Sequence, residues 1–424
     1  MNKETIFSKR LGEGYVRIKH PSGLTLLLCP TPQFSSVYAL FAAEIGSIDV
    51  TFKTDADDGF VTVPAGIAHY LEHKLFESED GDAFSRYAKT GASANAFTSF
   101  DKTAYLFSCS DNFEQSLDIL LDFVTHPYFT EETVRKEQGI IGQEIKMYDD
   151  DPNWRVLFNL LGVLYSNNPV RVDIAGTVES IAKIDAELLY RCYNTFYNLN
   201  NMVLAIAGNF EIDAVIKAAD RILKQAEPIT IQAEVPDEPR EVKASRVEMK
   251  LPVAMPLFNI GFKEKAGTKR ENTLNQVLDE ILLEIIAGEA SPLYRGLYDA
   301  GLINPSFDTE VFTGRDFASV MFSGESREPD AVYAAVCDEI EALQRTGLDE
   351  KSFLRSKKAI YGRYVRMLNN VDDIAGELMQ SHFGGFNVYE PIDIIADCTV
   401  EQLNLRLKEN FLRKYSAISV ILPL

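Results

Sequence analysis

The chain of 424 residues holds five histidines, His20, His69, His73, His126 and His382. Two of them stand four apart with a glutamate immediately before the second, in the run His69-Tyr70-Leu71-Glu72-His73. Residues i and i+4 share one face of a helix, so the two imidazoles can converge on a single ion. Glu72, three positions after His69, borders that face, and Ile67, Leu71 and Leu75 form an opposing apolar stripe that would bury the helix and restrict the histidine rotamers. Two imidazoles joined by one carboxylate make a zinc site with three protein ligands and one position open to water, the pattern of catalytic rather than structural zinc.

The carboxylate has to come from another rigid element. The segment after Thr130 offers two candidates seven apart on one helical face, Glu137 and Glu144, which without the upstream histidines would read as solvated surface residues. The same segment carries Gly139 and Gly142, each costing about 1 kcal/mol relative to alanine in a helix. Close packing of the histidine helix at that point would account for them.

The elements that must hold these residues can be read from pattern and punctuation. Gly14–His20 and Leu24–Cys29 read as strands joined by the Pro21-Ser22-Gly23 turn, and Val37–Ile45 as a further strand. A helix is expected from Pro64, a residue suited to a first helical turn. Asp82–Lys89 reads as a short helix stopped by Gly91, Ala94–Cys109 as a strand pair, Asn112–Thr125 as a helix and Met202–Gly208 as a buried strand. Thr130 caps the long helix that bears the glutamates, with Glu131 and Glu132 at its positive dipole end.

Length alone points to two domains. The proline-rich, aperiodic stretch 227–246 marks the break, giving a first domain over 1–228 that carries the metal residues, a linker over 229–246, and a metal-free second domain over 247–424. A shift of 220 residues aligns Arg135 with Arg355, Ile140 with Ile360, Gly142 with Gly362 and Met147 with Met367, as an internal duplication would. Under that shift Glu137 meets Lys357 and Glu144 meets Tyr364, so the framework repeats and the carboxylates do not.

A formal charge of −21 excludes nucleic acid as a partner, since phosphate recognition needs a basic face. No apolar run approaches the roughly 18 residues of a membrane span, and the first residues show no secretory pattern, so a cytoplasmic protein without membrane contact is expected. The five cysteines are scattered and include no C-x-x-C pair, which predicts reduced, buried thiols rather than disulfides or a thiolate metal cage.

The run His69–His73, its lead-in Pro64-Ala65-Gly66-Ile67-Ala68 and the Glu137/Glu144 pair resemble the insulinase/pitrilysin family of inverted-motif zinc peptidases, in its mitochondrial-processing-peptidase-like bacterial branch. The resemblance implies an α+β fold of two similar domains, each a mixed β-sheet backed by helices, facing each other around a chamber. It implies Glu144 as the third zinc ligand and Glu137 as the residue that supports a ligand from behind. The run Gly91–Thr98 is similar to the family's substrate-pairing edge strand, which makes Asn95, Ala96 and Phe97 substrate-binding residues, and Asn200-Asn201-Met202 also fits. In the second half the family often places an arginine and a tyrosine seven apart to grip substrate, and here that spacing falls on Arg315 and Phe322, which lacks the hydroxyl.

The expected chemistry is metal-assisted hydrolysis of short or unfolded peptides, with Glu72 as general base. Two other roles stay open: the catalytic subunit of a two-protein, narrow-range processing complex, and a non-catalytic scaffold subunit. The expected assembly is a homodimer or a heterodimer with a related subunit, in which the partner supplies the missing hydroxyl.

Overall fold

The computed structural model describes residues 2–79 and 81–424. They form two compact units. The first takes in the chain up to Ile145, then Asp173–Glu234 and Arg366–Tyr389; the second takes in Lys146–Val172, Val235–Val365 and Glu390–Leu424.

The first unit is built on a seven-stranded mixed sheet. Its strands in spatial order are Asn2–Ser8, Glu13–Lys19, Thr25–Pro30, Met202–Gly208, Val37–Ala43, Thr103–Cys109 and Ser93–Thr98. The central strand Met202–Gly208 is buried along its whole length, and it runs parallel to Thr25–Pro30 and antiparallel to Val37–Ala43. Asn201 sets its start by donating from Nδ2 to the carbonyls of Phe196, at 2.9 Å, and Glu44, at 3.2 Å. The strand Ser93–Thr98 closes the sheet as an edge, paired among the described residues on one side only, with Thr103–Cys109. The hairpin over 14–29, the strand pair over 94–109 and the helix Phe113–Thr125 lie where the sequence pattern puts them.

The second unit holds a five-stranded sheet, in spatial order Arg246–Leu251, Ser416–Pro423, Leu257–Lys263, Phe317–Glu325 and Asp308–Gly314. These strands repeat, in order and direction, the run from Thr25–Pro30 to Ser93–Thr98 in the first sheet. Val37 opens one central strand and Leu257 its counterpart, 220 residues on, which agrees with the duplication read from the helices. Both sheets are backed by helices that bury apolar faces.

The units are not contiguous in sequence, as a single break over 227–246 would make them. Helix Pro152–Leu164, which follows the glutamate helix, packs on the sheet of the second unit, against Leu257–Lys263 and Ser416–Pro423. Helix Val371–Gly384 packs on the sheet of the first unit, where Ile374, Ala375, Leu378 and Met379 cover Leu40, Val203 and Ala205. Each stretch of about 20 to 30 residues carries enough apolar surface to choose its sheet, and linear order does not constrain that choice.

All five cysteines are buried and unpaired, as expected. Among the described residues no helix is long and apolar enough to cross a membrane.

Candidate metal centre

The histidine helix spans Ile67–Leu75, starting three residues after Pro64, with Gly66 as its N-cap. Gly66 has φ +90°, and a Cβ there would fall 2.4 Å from the Ala175 carbonyl oxygen. Only glycine allows this left-handed entry against a neighbouring backbone. The Ser180 hydroxyl, donating to the Ala65 carbonyl at 2.8 Å, fixes the same corner. Ile67, Leu71 and Leu75 are buried, so the apolar stripe anchors the helix as its spacing predicts, and the Tyr70 hydroxyl donates to the Val134 carbonyl of the glutamate helix.

The glutamate helix spans Glu131–Asp150, and the Thr130 hydroxyl caps it by accepting from the Thr133 amide at 3.2 Å. Its glycines do not serve close packing: a Cβ added at Gly139 or Gly142 would meet nothing within 4 Å. Nothing in the structure explains these two glycines.

The two helices bring His69, His73 and Glu144 together, with one donor atom of each lying within 4.8 Å of the others. Glu144 Oε2 stands 3.4 Å from His73 Nε2 and 3.8 Å from His69 Nε2, and the two imidazole rings are 4.6 Å apart between centroids. Two ligands held about 2.0–2.1 Å from a tetrahedral zinc stand about 3.3 Å apart, so this nitrogen–nitrogen–oxygen set fits the ion. Of the two downstream carboxylates, Glu144 faces both imidazole Nε2 atoms. Glu137 instead accepts from His73 Nδ1 at 2.9 Å, which assigns the proton to Nδ1 and leaves Nε2 free to coordinate.

The electrostatics favour a cation at this point. Burial, with the charge of His73 next, lowers His69 to about 4. For His73, burial acts in the same direction, but hydrogen bonds to Glu137 and Glu144 outweigh it and lift the imidazole to about 10. Without a metal, then, one positive charge sits on His73 between two carboxylates, and an incoming metal ion would take its place.

Glu72 lies beside the cluster on the same helix. Burial pushes its carboxyl up, against the opposing effect of a hydrogen bond from the Thr98 hydroxyl to Oε2 at 2.6 Å. Thr98 is the last residue of the edge strand that holds Asn95, Ala96 and Phe97. Nothing in the sequence singles it out, because its approach to Glu72 is made by packing of the histidine helix on that strand.

Arg315 and Phe322, in the second unit, do not form a pair. Arg315 lies in the turn between two antiparallel strands and ion-pairs with Asp316 at 3.9 Å. Phe322 lies inside the following strand with 0% exposure, its ring against Phe262 at 5.9 Å between centroids. Phe322 belongs to the apolar core of this unit and has no exposed surface to offer a substrate. At the place of the metal pair, this unit has Tyr364 donating to Glu280 at 3.0 Å, and Lys357 donating to the Cys398 carbonyl at 2.9 Å.

Residues 63–178 match the family described as Insulinase (Peptidase family M16), and residues 183–360 match the Peptidase M16 inactive domain. The chain is 38% identical to the "Uncharacterized zinc protease YmfH" of Bacillus subtilis (strain 168), over 98% of each chain. It belongs to the insulinase family, peptidase family M16. The crystal structure of a putative M16-like peptidase from Alicyclobacillus acidocaldarius shares the fold with a TM-score of 0.93 at 34% identity, covering 100% of this chain and 99% of that one. A more distant relative is the "Probable mitochondrial-processing peptidase subunit beta, mitochondrial" of Arabidopsis thaliana, 26% identical over 51% of this chain and 42% of that protein. The resemblance to the mitochondrial-processing-peptidase-like branch therefore holds.

Proposed function

We propose that this M16 protein is a zinc-dependent endopeptidase that hydrolyses short or unfolded peptides in the cytoplasm. The observation that carries the reading is the meeting of His69, His73 and Glu144 within 4.8 Å, with Glu72 beside them. Zinc held by these three residues would supply a Lewis acid that polarises a carbonyl and acidifies water. The chain's own residues do the rest. Glu137 holds His73 in the ligating tautomer through Nδ1. Glu72 takes the proton of the attacking water on its carboxylate and passes it to the leaving amide nitrogen. The edge strand Ser93–Thr98 pairs with the peptide backbone and lays the scissile carbonyl beside Glu72, with Asn95, Ala96 and Phe97 alongside the substrate. The complete set of His69, Glu72, His73 and Glu144 weighs against a scaffold role, which needs none of them.

A second reading, the zinc-bearing subunit of a two-chain peptidase in which a related chain supplies the hydroxyl contact, is supported by the likeness to a protein named as a mitochondrial-processing peptidase subunit. Incubating the purified protein and zinc with an unstructured fluorogenic peptide tests the first reading, with Glu72→Gln as control. Activity in the wild type alone supports a self-sufficient enzyme. Activity that needs a related chain, with a matching change in particle size, supports the second.

A further inference from the structure

The edge strand and the base are joined by one hydrogen bond. Thr98 Oγ1 lies 2.6 Å from Glu72 Oε2, and this is the only hydrogen bond the Glu72 carboxylate makes among the described residues. A carboxylate only accepts, so the Thr98 hydroxyl is the donor. Its neighbour across the ladder, Thr103, is 3.4 Å away but is fully buried and donates its proton to the Ile45 carbonyl at 2.9 Å. The single proton of Thr98 is therefore committed to Glu72, and one carboxylate oxygen is held while Oε1 stays available.

Resting on the peptidase reading above, we propose that Thr98 is a positioning residue that sets the general base from the substrate-pairing strand. Ser93, Asn95 and Phe97 lie on the more exposed face of the strand, while Ala94, Ala96 and Thr98 lie on the other, which packs against the histidine helix. A peptide aligned by the strand's backbone and a base aligned by Thr98 then share one rigid reference. Glutamate has three rotatable bonds, and among the described residues no other hydrogen bond holds its carboxylate.

The test compares Thr98→Val, which keeps the shape and β-branching but removes the donor, with Thr98→Ser, which keeps the donor. Loss of a hydrogen bond to a charged group predicts a fall in kcat of about 10- to 100-fold in Thr98→Val. KM and zinc content should hold, and Thr98→Ser should recover kcat to within about threefold. In a Glu72→Gln background Thr98→Val should cost less than about twofold more, because residues acting as a unit are not additive. A rise in KM at constant kcat, or a full further loss in the Glu72→Gln background, would overturn the proposal in favour of a role in strand alignment alone. Crystal structures of the two variants give a readout free of activity. The Glu72 carboxylate should leave its present rotamer in Thr98→Val and keep it in Thr98→Ser, and an unchanged Glu72 in Thr98→Val refutes the assignment. Zinc-loaded wild type that cleaves no peptide would refute the peptidase reading instead, and the structures would still decide the role of Thr98.

Discussion

Glu137 Oε1 lies 2.9 Å from His73 Nδ1, and on the other edge of the same ring Nε2 stands 3.4 Å from Glu144 Oε2. One imidazole is thus held between two carboxylates that stand two turns apart on one face of the glutamate helix, the first accepting from Nδ1 and the second facing Nε2. Replacing Glu137 by Gln leaves that orientation to a neutral amide and should weaken zinc binding about 10- to 100-fold. Competition with a chelator of known affinity measures this, and unchanged affinity would remove Glu137 from the site.

Removing a donor outright should do more. His69→Ala takes away one of three donors and should lower bound zinc well below one per chain, read by elemental analysis of protein dialysed against zinc-free buffer. Undiminished zinc would show that the ion is held elsewhere.

Glu72→Gln keeps the donors and removes the proton acceptor. Zinc content should stay at the wild-type level while peptide hydrolysis falls by a factor on the order of 10² to 10⁴. Equal rates in the two forms would mean that Glu72 takes no part in the reaction.

The second unit carries a pH-dependent strain that is independent of the site. Arg406 is bound by Asp279 at 2.6 and 2.8 Å and also by Glu264, so two buried carboxylates share one guanidinium. Burial raises both acids, and the charge of Asp279 raises Glu264 further. A carboxyl whose folded pKa is raised binds its proton more tightly in the folded state. Its contribution is fully present below the ordinary carboxylate range and is lost as pH rises toward the raised folded values. Glu264→Gln should therefore stabilise the protein by about 1–2 kcal/mol at pH 8 and by much less at pH 4. Denaturant unfolding at the two pH values tests this, and a gain that is larger at pH 4 would reverse the argument.

Phe322→Tyr would place a hydroxyl in the core of the second unit, among Ile260, Phe262 and Val320. An unpartnered hydroxyl costs roughly 1–3 kcal/mol in a protein interior, so unfolding should shift to lower denaturant with no gain in peptidase rate. A rate increase in a fully stable variant would put the residue back beside the substrate.

Local periodicity carried much of this protein's chemistry in the sequence itself. The helix repeat placed His69 and His73 on one face and Glu137 and Glu144 on another, while the apolar stripe of Ile67, Leu71 and Leu75 decided which way the first helix turned. The offset of 220 residues was visible because duplicated elements keep their packing positions, and strand order bears it out. Tertiary structure alone decided the rest, because each remaining point depends on residues far apart in the chain. The spacing from Arg315 could not tell that Phe317–Glu325 is covered on both faces over its first six residues, which makes Phe322 core. Helix Pro152–Leu164 settled on the sheet of the second unit and helix Val371–Gly384 on that of the first, an exchange set by complementary apolar surfaces. The family resemblance implied different roles for Glu137 and Glu144, and the two helices set Glu137 on His73 Nδ1 and Glu144 opposite both Nε2 atoms. The reach of Thr98 to Glu72 was fixed only by how the histidine helix lies against the edge strand, a geometry that no spacing within either segment encodes.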